Sequence, residues 1–179
     1  MNLQTLKNYP NAKLRPVCDM DAETIAVHYC PPWSTPTEIR EKWNRCHQEH
    51  QSGIRVVAVL EMDQEILGYG SLLLKSEYPH FLNIPEINDV WIYEKHRGHG
   101  LGTLLITWLE DVARKKGYKE IGIGVGLYAD YGRAQKLYFH LGYTPDGHGV
   151  THKCQPVIPG ESYPFDDDLI LWLKKPIIN

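Results

Sequence analysis

The order Arg97-Gly98-His99-Gly100-Leu101-Gly102 stands between a run of strand-forming residues and a run with helical spacing. Glycines let a backbone turn tightly and approach an anion, and the N–H groups of a helix start, backed by the helix dipole, suit phosphate oxygens. A diphosphate fits such a place, although an ordinary strand-to-helix turn also tolerates three glycines. Two other phosphate motifs compete poorly. A dinucleotide fingerprint needs GxGxxG in an early βαβ unit with an acid about 20 residues further on, whereas the spacing here is GxGxG after a long mixed front half. A nucleoside-triphosphate loop needs a lysine after its last glycine, and Thr103 follows Gly102.

The rest of the composition narrows the chemistry. With 179 residues, 42% hydrophobic and 23% charged, the chain suits one globular domain spanning 1–179. A formal charge of −3 offers no basic footprint for nucleic acid. No stretch approaches the roughly 18 apolar residues of a membrane span, and Met1 to Pro10 lacks a signal pattern, so a soluble cytoplasmic protein is expected. Cys18, Cys30, Cys46 and Cys154 lie far apart and read as reduced thiols. The nine histidines form no HExxH or Cys/His cluster, so no metal is assigned.

The elements that must position the glycine loop follow from periodicity. Lys13 to Val17 reads as a strand, and Asp19 or Asp21 caps a helix bearing Ala22, Ile25, Ala26 and Tyr29. After the proline-rich stretch Cys30 to Ser34, Thr35, Pro36 and Glu38 supply a capping box for a helix with Ile39, Trp43 and Cys46 inward. Arg55 to Glu61 and Glu65 to Lys75, separated by three residues, predict an antiparallel hairpin.

Glu86 to Tyr93 predicts a strand. Its apolar positions Ile87, Val90, Trp91 and Ile92 break alternation, which predicts a bulge near Asn88 to Val90 or burial on both faces. Leu101, Leu104, Leu105, Trp108, Leu109, Val112 and Ala113 predict a helix ended by Gly117, with Glu110 paired to Arg114. Lys119 to Tyr128 alternates aliphatic residues with Gly122, Gly124 and Gly126, a strand with one bare face that lets something approach closely. A helix over Asp130 to Leu141, a strand in Val150 to Ile158 and a last strand in Leu169 to Lys174 complete the chain. The order β-α-α-β-β-β-α-β-α-β-β implies a mixed α/β fold with helices on the faces of one twisted sheet.

Several segments in order resemble the GNAT superfamily of acyl-CoA-dependent N-acyltransferases, whose pyrophosphate motif is (Gln or Arg)-x-x-Gly-x-(Gly or Ala). Arg97, Gly100 and Gly102 match it. LRPVCDMDAETIA, RVVAVLEMDQEILGYGSLLL, EINDVWIYEKHRGHGLG and AQKLYFHLGY are similar to further family segments, and VGLYxDYGxAQxLY followed by GYxPDG is similar to bacterial members. The resemblance implies a mixed sheet of six to seven strands with about four helices, its fourth and fifth strands splayed to admit the cofactor arm. It implies acetyl-CoA as cosubstrate. The backbones of Trp91 and Ile92 would bind the pantetheine arm and acetyl carbonyl, and the amides of Arg97, Gly98, His99, Gly100, Leu101, Gly102 and Thr103 the pyrophosphate.

An amine that attacks a thioester must first be neutral, and the departing thiolate leaves more easily when protonated. Tyr138 matches the tyrosine of the family's A-x-x-L-Y motif, implied as general acid; as a residue it also reads as a core aromatic. Glu86 and Asp89 are the candidate bases, Glu86 being preferred because it aligns with the family's acid; paired acids could instead hold a cationic amine. Tyr131 stands where the family often has a pantetheine-binding Asn.

For the acceptor, the regions that the resemblance implies as pocket walls offer Trp33, Tyr78, His80, Phe81, Tyr163, Phe165 and Asp166 to Asp168, aromatic walls and acid suited to a small cationic amine such as an aminoglycoside, polyamine or amino-acid derivative, while a peptide amine would need an open groove. The expected activity is direct acetyl transfer in a ternary complex; a domain that binds acetyl-CoA as a sensor is the alternative. Many relatives being dimers, a homodimer is within expectation.

Overall fold

The computed structural model describes residues 9–28 and 34–178. Tyr29, Cys30 and Trp33, named above, lie outside the described residues. Among the described residues eight strands form one sheet in the order β1-β2-β3-β4-β5-β8-β6-β7. They are β1 (Lys13–Pro16), β2 (Arg55–Met62), β3 (Glu65–Leu73), β4 (Glu86–Ile92), β5 (Glu120–Gly126), β6 (Thr144–His152), β7 (Gln155–Pro156) and β8 (Leu169–Pro176). The helices are α1 (Asp19–His28), α2 (Pro36–Gln51), α3 (Leu101–Lys115) and α4 (Gly132–His140). The chain divides into two compact units. One comprises the described residues up to Leu72 with Asp89–Ile106, the other Leu73–Asn88 with the described residues from Thr107 onward.

In the first unit the capping box forms as its residues dictate. Glu38 N–H donates to Thr35 Oγ1 at 3.3 Å and Thr35 N–H to Glu38 Oε2 at 2.7 Å, satisfying two donors that a helix start would otherwise leave open. Ile39, Trp43 and Cys46 of α2 and Ala22, Ile25 and Ala26 of α1 then pack with Val57, Val59, Ile66 and Tyr69 of the β2–β3 hairpin. A second cluster joins Tyr9, Leu60 and Leu67 to Leu101, the first residue of α3. The hairpin turns on Asp63 and Gln64, with φ of 50° and 71°, the two left-handed residues that match the twist of antiparallel strands.

A buried ion pair secures the start of α1. Asp21, 3% exposed, accepts from Arg15 at 2.7 and 2.8 Å and from Cys18 N–H at 2.7 Å, while Arg15 Nε donates to Glu61 on β2 at 2.5 Å. Burial alone would push the Asp21 carboxyl up; the Arg15 and Cys18 hydrogen bonds outweigh it and hold it below the ordinary carboxylate range. A carboxyl depressed in the folded state stabilises above its unfolded pKa, and that stabilisation disappears as pH falls through the folded value. Asp21→Asn is therefore expected to cost about 3 kcal/mol at neutral pH. Urea midpoints should show the deficit shrinking below about pH 4.

In the second unit β5 pairs along its length with β8, from Glu120↔Pro176 to Gly126↔Ile170. Its parallel pairing with β4 is brief: Glu86↔Gly122 and Ile87↔Ile123. Three expectations are corrected here. Val150 to Ile158 is not one strand, because Lys153 (φ 51°) and Cys154 (φ 60°) turn the chain back between β6 and β7. That turn supplies the eighth strand, and β6 itself already starts at Thr144. Glu110 does not pair with Arg114; it is 3% exposed, accepts from Tyr143 Oη at 3.0 Å and from Lys175 Nζ at 2.9 Å, while Arg114 pairs with Asp111. A buried carboxylate takes the donors the tertiary fold supplies over a surface helix neighbour.

Candidate active site

The glycine loop is built within the first unit. After β4, Tyr93 N–H donates to Leu67 O, residues Glu94–His96 make one 3₁₀ turn, and Arg97 N–H returns to Glu94 O. Gly98 and Gly100 both adopt φ of 83°, a conformation costly for any residue with a Cβ. Helix α3 starts at once with the buried Leu101, and its first bond runs from Leu104 N–H to Gly100 O at 3.0 Å. The N–H groups of Leu101 and Gly102 precede that ladder, in the position where helix starts receive anions. Gly98, His99 and Gly100 are exposed, whereas His96 beneath them is buried and hydrogen-bonded to Tyr9 Oη at 3.0 Å.

Arg97 does something its type did not announce. Its Nε donates to Ile92 O at 2.8 Å, and its guanidinium lies 4.6 Å from the Trp91 ring centroid. The side chain thus braces the end of β4. Gly68 of β3 allows the same strand end to lie close, since a Cβ there would fall 2.4 Å from Trp91 O.

The irregularity expected in β4 is found at Asp89, a non-glycine residue with φ of 53°. Its two oxygens are taken by separate cations, Oδ1 by Lys42 Nζ at 2.5 Å and Oδ2 by Arg55 at 3.2 Å; Arg55 also binds Ser71 and Glu49. This is the setting of a counter-ion. Glu86, in the second unit and 5% exposed, accepts from Ser76 Oγ at 2.5 Å and from Asn88 Nδ2 at 2.8 Å. Asn88 shares a strand face with Glu86 two residues away and was legible as its partner; Ser76, Lys42 and Arg55 reach these acids from other elements and carried no local signal.

The glycine face of β5 is not bare. A Cβ on Gly122 would lie 2.1 Å from the Phe81 ring, and one on Gly126 would lie 2.5 Å from Tyr131. The close approach inferred from these glycines is thus made by the chain's own aromatic rings. Tyr78 and Phe81, expected as acceptor walls, are 1% exposed and form a cluster with Trp172, on which Tyr78 stacks at 4.2 Å. Nearer solvent, Tyr128 and Tyr131 both donate to Asp167, while Phe165 is 74% exposed. Gln135 of α4 donates to Gly126 O at 2.8 Å.

Tyr138 lies on the inner side of α4, 7% exposed, with the Tyr143 ring 6.2 Å away. Burial pushes its phenol above the ordinary value, so it stays protonated through the neutral range. Burial likewise raises the Cys154 thiol, helped by the Glu86, Glu77 and Asp168 charges, which opposes a nucleophilic thiolate.

Residues 21–143 match the family model described as acetyltransferase (GNAT) family, more than two thirds of the chain. The chain belongs to that family. It is an acyltransferase of the GNAT type, and the match runs from the buried Asp21 to Tyr143, taking in the glycine loop, Glu86, Asp89 and Tyr138. No curated protein matches the sequence. Solved structures extend the likeness beyond the matched segment. A GNAT-family protein from Desulfovibrio desulfuricans superposes with a TM-score of 0.69 at 12% identity, over 93% of this chain and 99% of its own. YncA of Salmonella typhimurium, solved with its cofactor acetyl-CoA, gives 0.66 at 20% identity over 94% and 95%. The spermidine N-acetyltransferase of Vibrio cholerae, in complex with CoA and spermine, gives 0.64 at 19% identity over 93% and 95%. At these identities the likeness establishes the GNAT fold, now including β6–β8, which lie outside the family match.

Proposed function

We propose that this GNAT protein transfers the acetyl group of acetyl-CoA to a primary amine of a small molecule or peptide, by direct attack in a ternary complex. The observation that carries the reading is the loop after β4, where two left-handed glycines lead straight into the start of α3. Its amides suit the pyrophosphate of CoA, and the strand end at Trp91 and Ile92, braced by Arg97, suits the pantetheine arm. The relatives solved with acetyl-CoA, or with CoA and spermine, support this choice of donor and of an amine as acceptor.

In the proposed reaction the neutral amine nitrogen attacks the thioester carbonyl, the C–N bond forms and the C–S bond breaks. The amine proton passes to a base, and Tyr138 gives its proton to the sulfur of the leaving CoA. Glu86 is the better base. Asp89 is held between Lys42 and Arg55, one cation on each carboxylate oxygen, while Glu86 has the Ser76 hydroxyl and the Asn88 amide among its donors and aligns with the acid of the family's strand. Glu86→Gln should lower turnover about tenfold and remove the acidic limb of the pH–rate profile, with water taking over as a poorer base. Asp89→Asn should keep that limb and lower thermal stability instead, since it weakens the counter-ion of two cations. A limb unchanged in Glu86→Gln would dismiss Glu86 as the base.

The activity itself is tested by release of free thiol from acetyl-CoA against a panel of amines, including polyamines, aminoglycosides, amino acids and N-terminal peptides. Turnover with any of them supports the transferase. Tight acetyl-CoA binding with a silent panel would favour an acetyl-CoA sensor.

A further inference from the structure

At the end of β6, His152 faces the segment that leads into β8. Its Nε2 is shielded from solvent and has no hydrogen-bond partner among the described residues, and the whole side chain is 18% exposed. A buried polar atom left unpaired costs roughly 1–3 kcal/mol and calls for a reason. Its polar surroundings are acidic: Asp166 Oδ1 stands 3.8 Å away, and one ligand atom each from His152, Asp166 and Asp168 lie within 4.8 Å of one another. A separation of 3.8 Å is too long for a hydrogen bond. It is close to the spacing of two ligands held at about 2.1 Å by one metal ion, which is roughly 3–4 Å.

We propose that His152, Asp166 and Asp168 bind a divalent transition-metal ion. One imidazole and two carboxylates favour Zn2+, with Mn2+ as a weaker occupant, while Mg2+ seeks an all-oxygen octahedron. Three protein ligands leave further positions to water. The residues are prepared for this: the Tyr163 ring packs 5.6 Å from that of His152, Asp168 N–H donates to Asp166 Oδ1 at 3.0 Å, and Lys153 N–H donates to Asp168 O at 3.2 Å. The ion ties the C-terminal end of β6 to the start of β8, fixing the segment whose Asp167 receives the hydroxyls of Tyr128 and Tyr131. The site revises the expectation of no metal; thirteen residues separate His152 from the nearest partner, so no spacing motif disclosed it.

The test is calorimetric titration of the untagged full chain with Zn2+ and Mg2+, paired with the visible spectrum of the Co2+ form. One Zn2+ per chain is expected, with Tm rising by about 5 °C when the ion is at roughly a hundred times its Kd. His152→Gln and Asp168→Asn should each weaken binding at least about tenfold and alter the Co2+ spectrum. The Asp168 side chain is exposed, so Asp168→Asn keeps the test intact should His152→Gln fail to fold. The proposal is overturned by absence of binding to wild type at about 1 mM Zn2+, or by binding that Asp168→Asn leaves unchanged.

Discussion

Tyr138→Phe is expected to lower kcat by about 10²- to 10³-fold while the KM for acetyl-CoA stays within a factor of about two. The ring is buried on the inner side of α4, and phenylalanine fills the same space, so packing against Tyr143 survives and the fold should not register the change. Only the hydroxyl is lost. Because burial pushes the phenol up, wild-type Tyr138 remains an acid across the whole working range, and it imposes no basic limb on kcat below about pH 10. Steady-state kinetics over pH with one amine and varied acetyl-CoA measure both quantities. A variant with wild-type turnover would reduce Tyr138 to a core aromatic.

Gly100→Val should produce the second large effect, raising the Kd for CoA on the order of 10- to 100-fold. A β-branched residue at a φ of 83° is strained by about 1–3 kcal/mol, and the loop relieves that strain by turning its amides away from the positions they now hold. Each 1.4 kcal/mol is a factor of ten in affinity. The helix behind the loop is anchored separately, by Leu101 against Tyr9, Leu60 and Leu67, so the melting temperature should move by only a few degrees. Calorimetric titration with CoA beside a thermal melt separates the two readouts. Unchanged CoA affinity would mean that this loop is not the pyrophosphate cradle.

Local chemistry was the legible part of this chain. Thr35, Pro36 and Glu38 announce α2 because their roles are met within four residues, and the leucines of α3 announce their helix up to Gly117, which takes a φ of 89°. The irregularity at Asp89 was visible as a break in alternation, and the family motif drew attention to residues 97–103. What stayed hidden depended on residues distant in sequence or on unusual turn chemistry. Lys153 and Cys154 reverse the chain without a glycine, so the β6–β7 hairpin read as one strand. Glu110 turned inward because Tyr143 and Lys175 are there to meet it. Glu86 is preferred to Asp89 in the sequence on alignment alone; the two cations that make Asp89 a counter-ion, Lys42 and Arg55, come to it from α2 and β2.

The rings seated on β5 have one more effect, on how the sheet aligns itself. A strand in which every second residue is glycine has little to specify which partner each residue meets, and such strands are prone to slip. Here Phe81 and Tyr131 occupy the gaps at Gly122 and Gly126. Sliding β5 by one residue would drive the side chain of Ile121 or Ile123 into the Phe81 ring, and sliding it by two would bring Gly124 to one ring but Glu120 or Tyr128 to the other, while shifting all seven of the partners that β5 holds on β8. The two aromatic side chains act as pegs in a notched rail, fixing the strand in the one alignment where the notches and the pegs coincide.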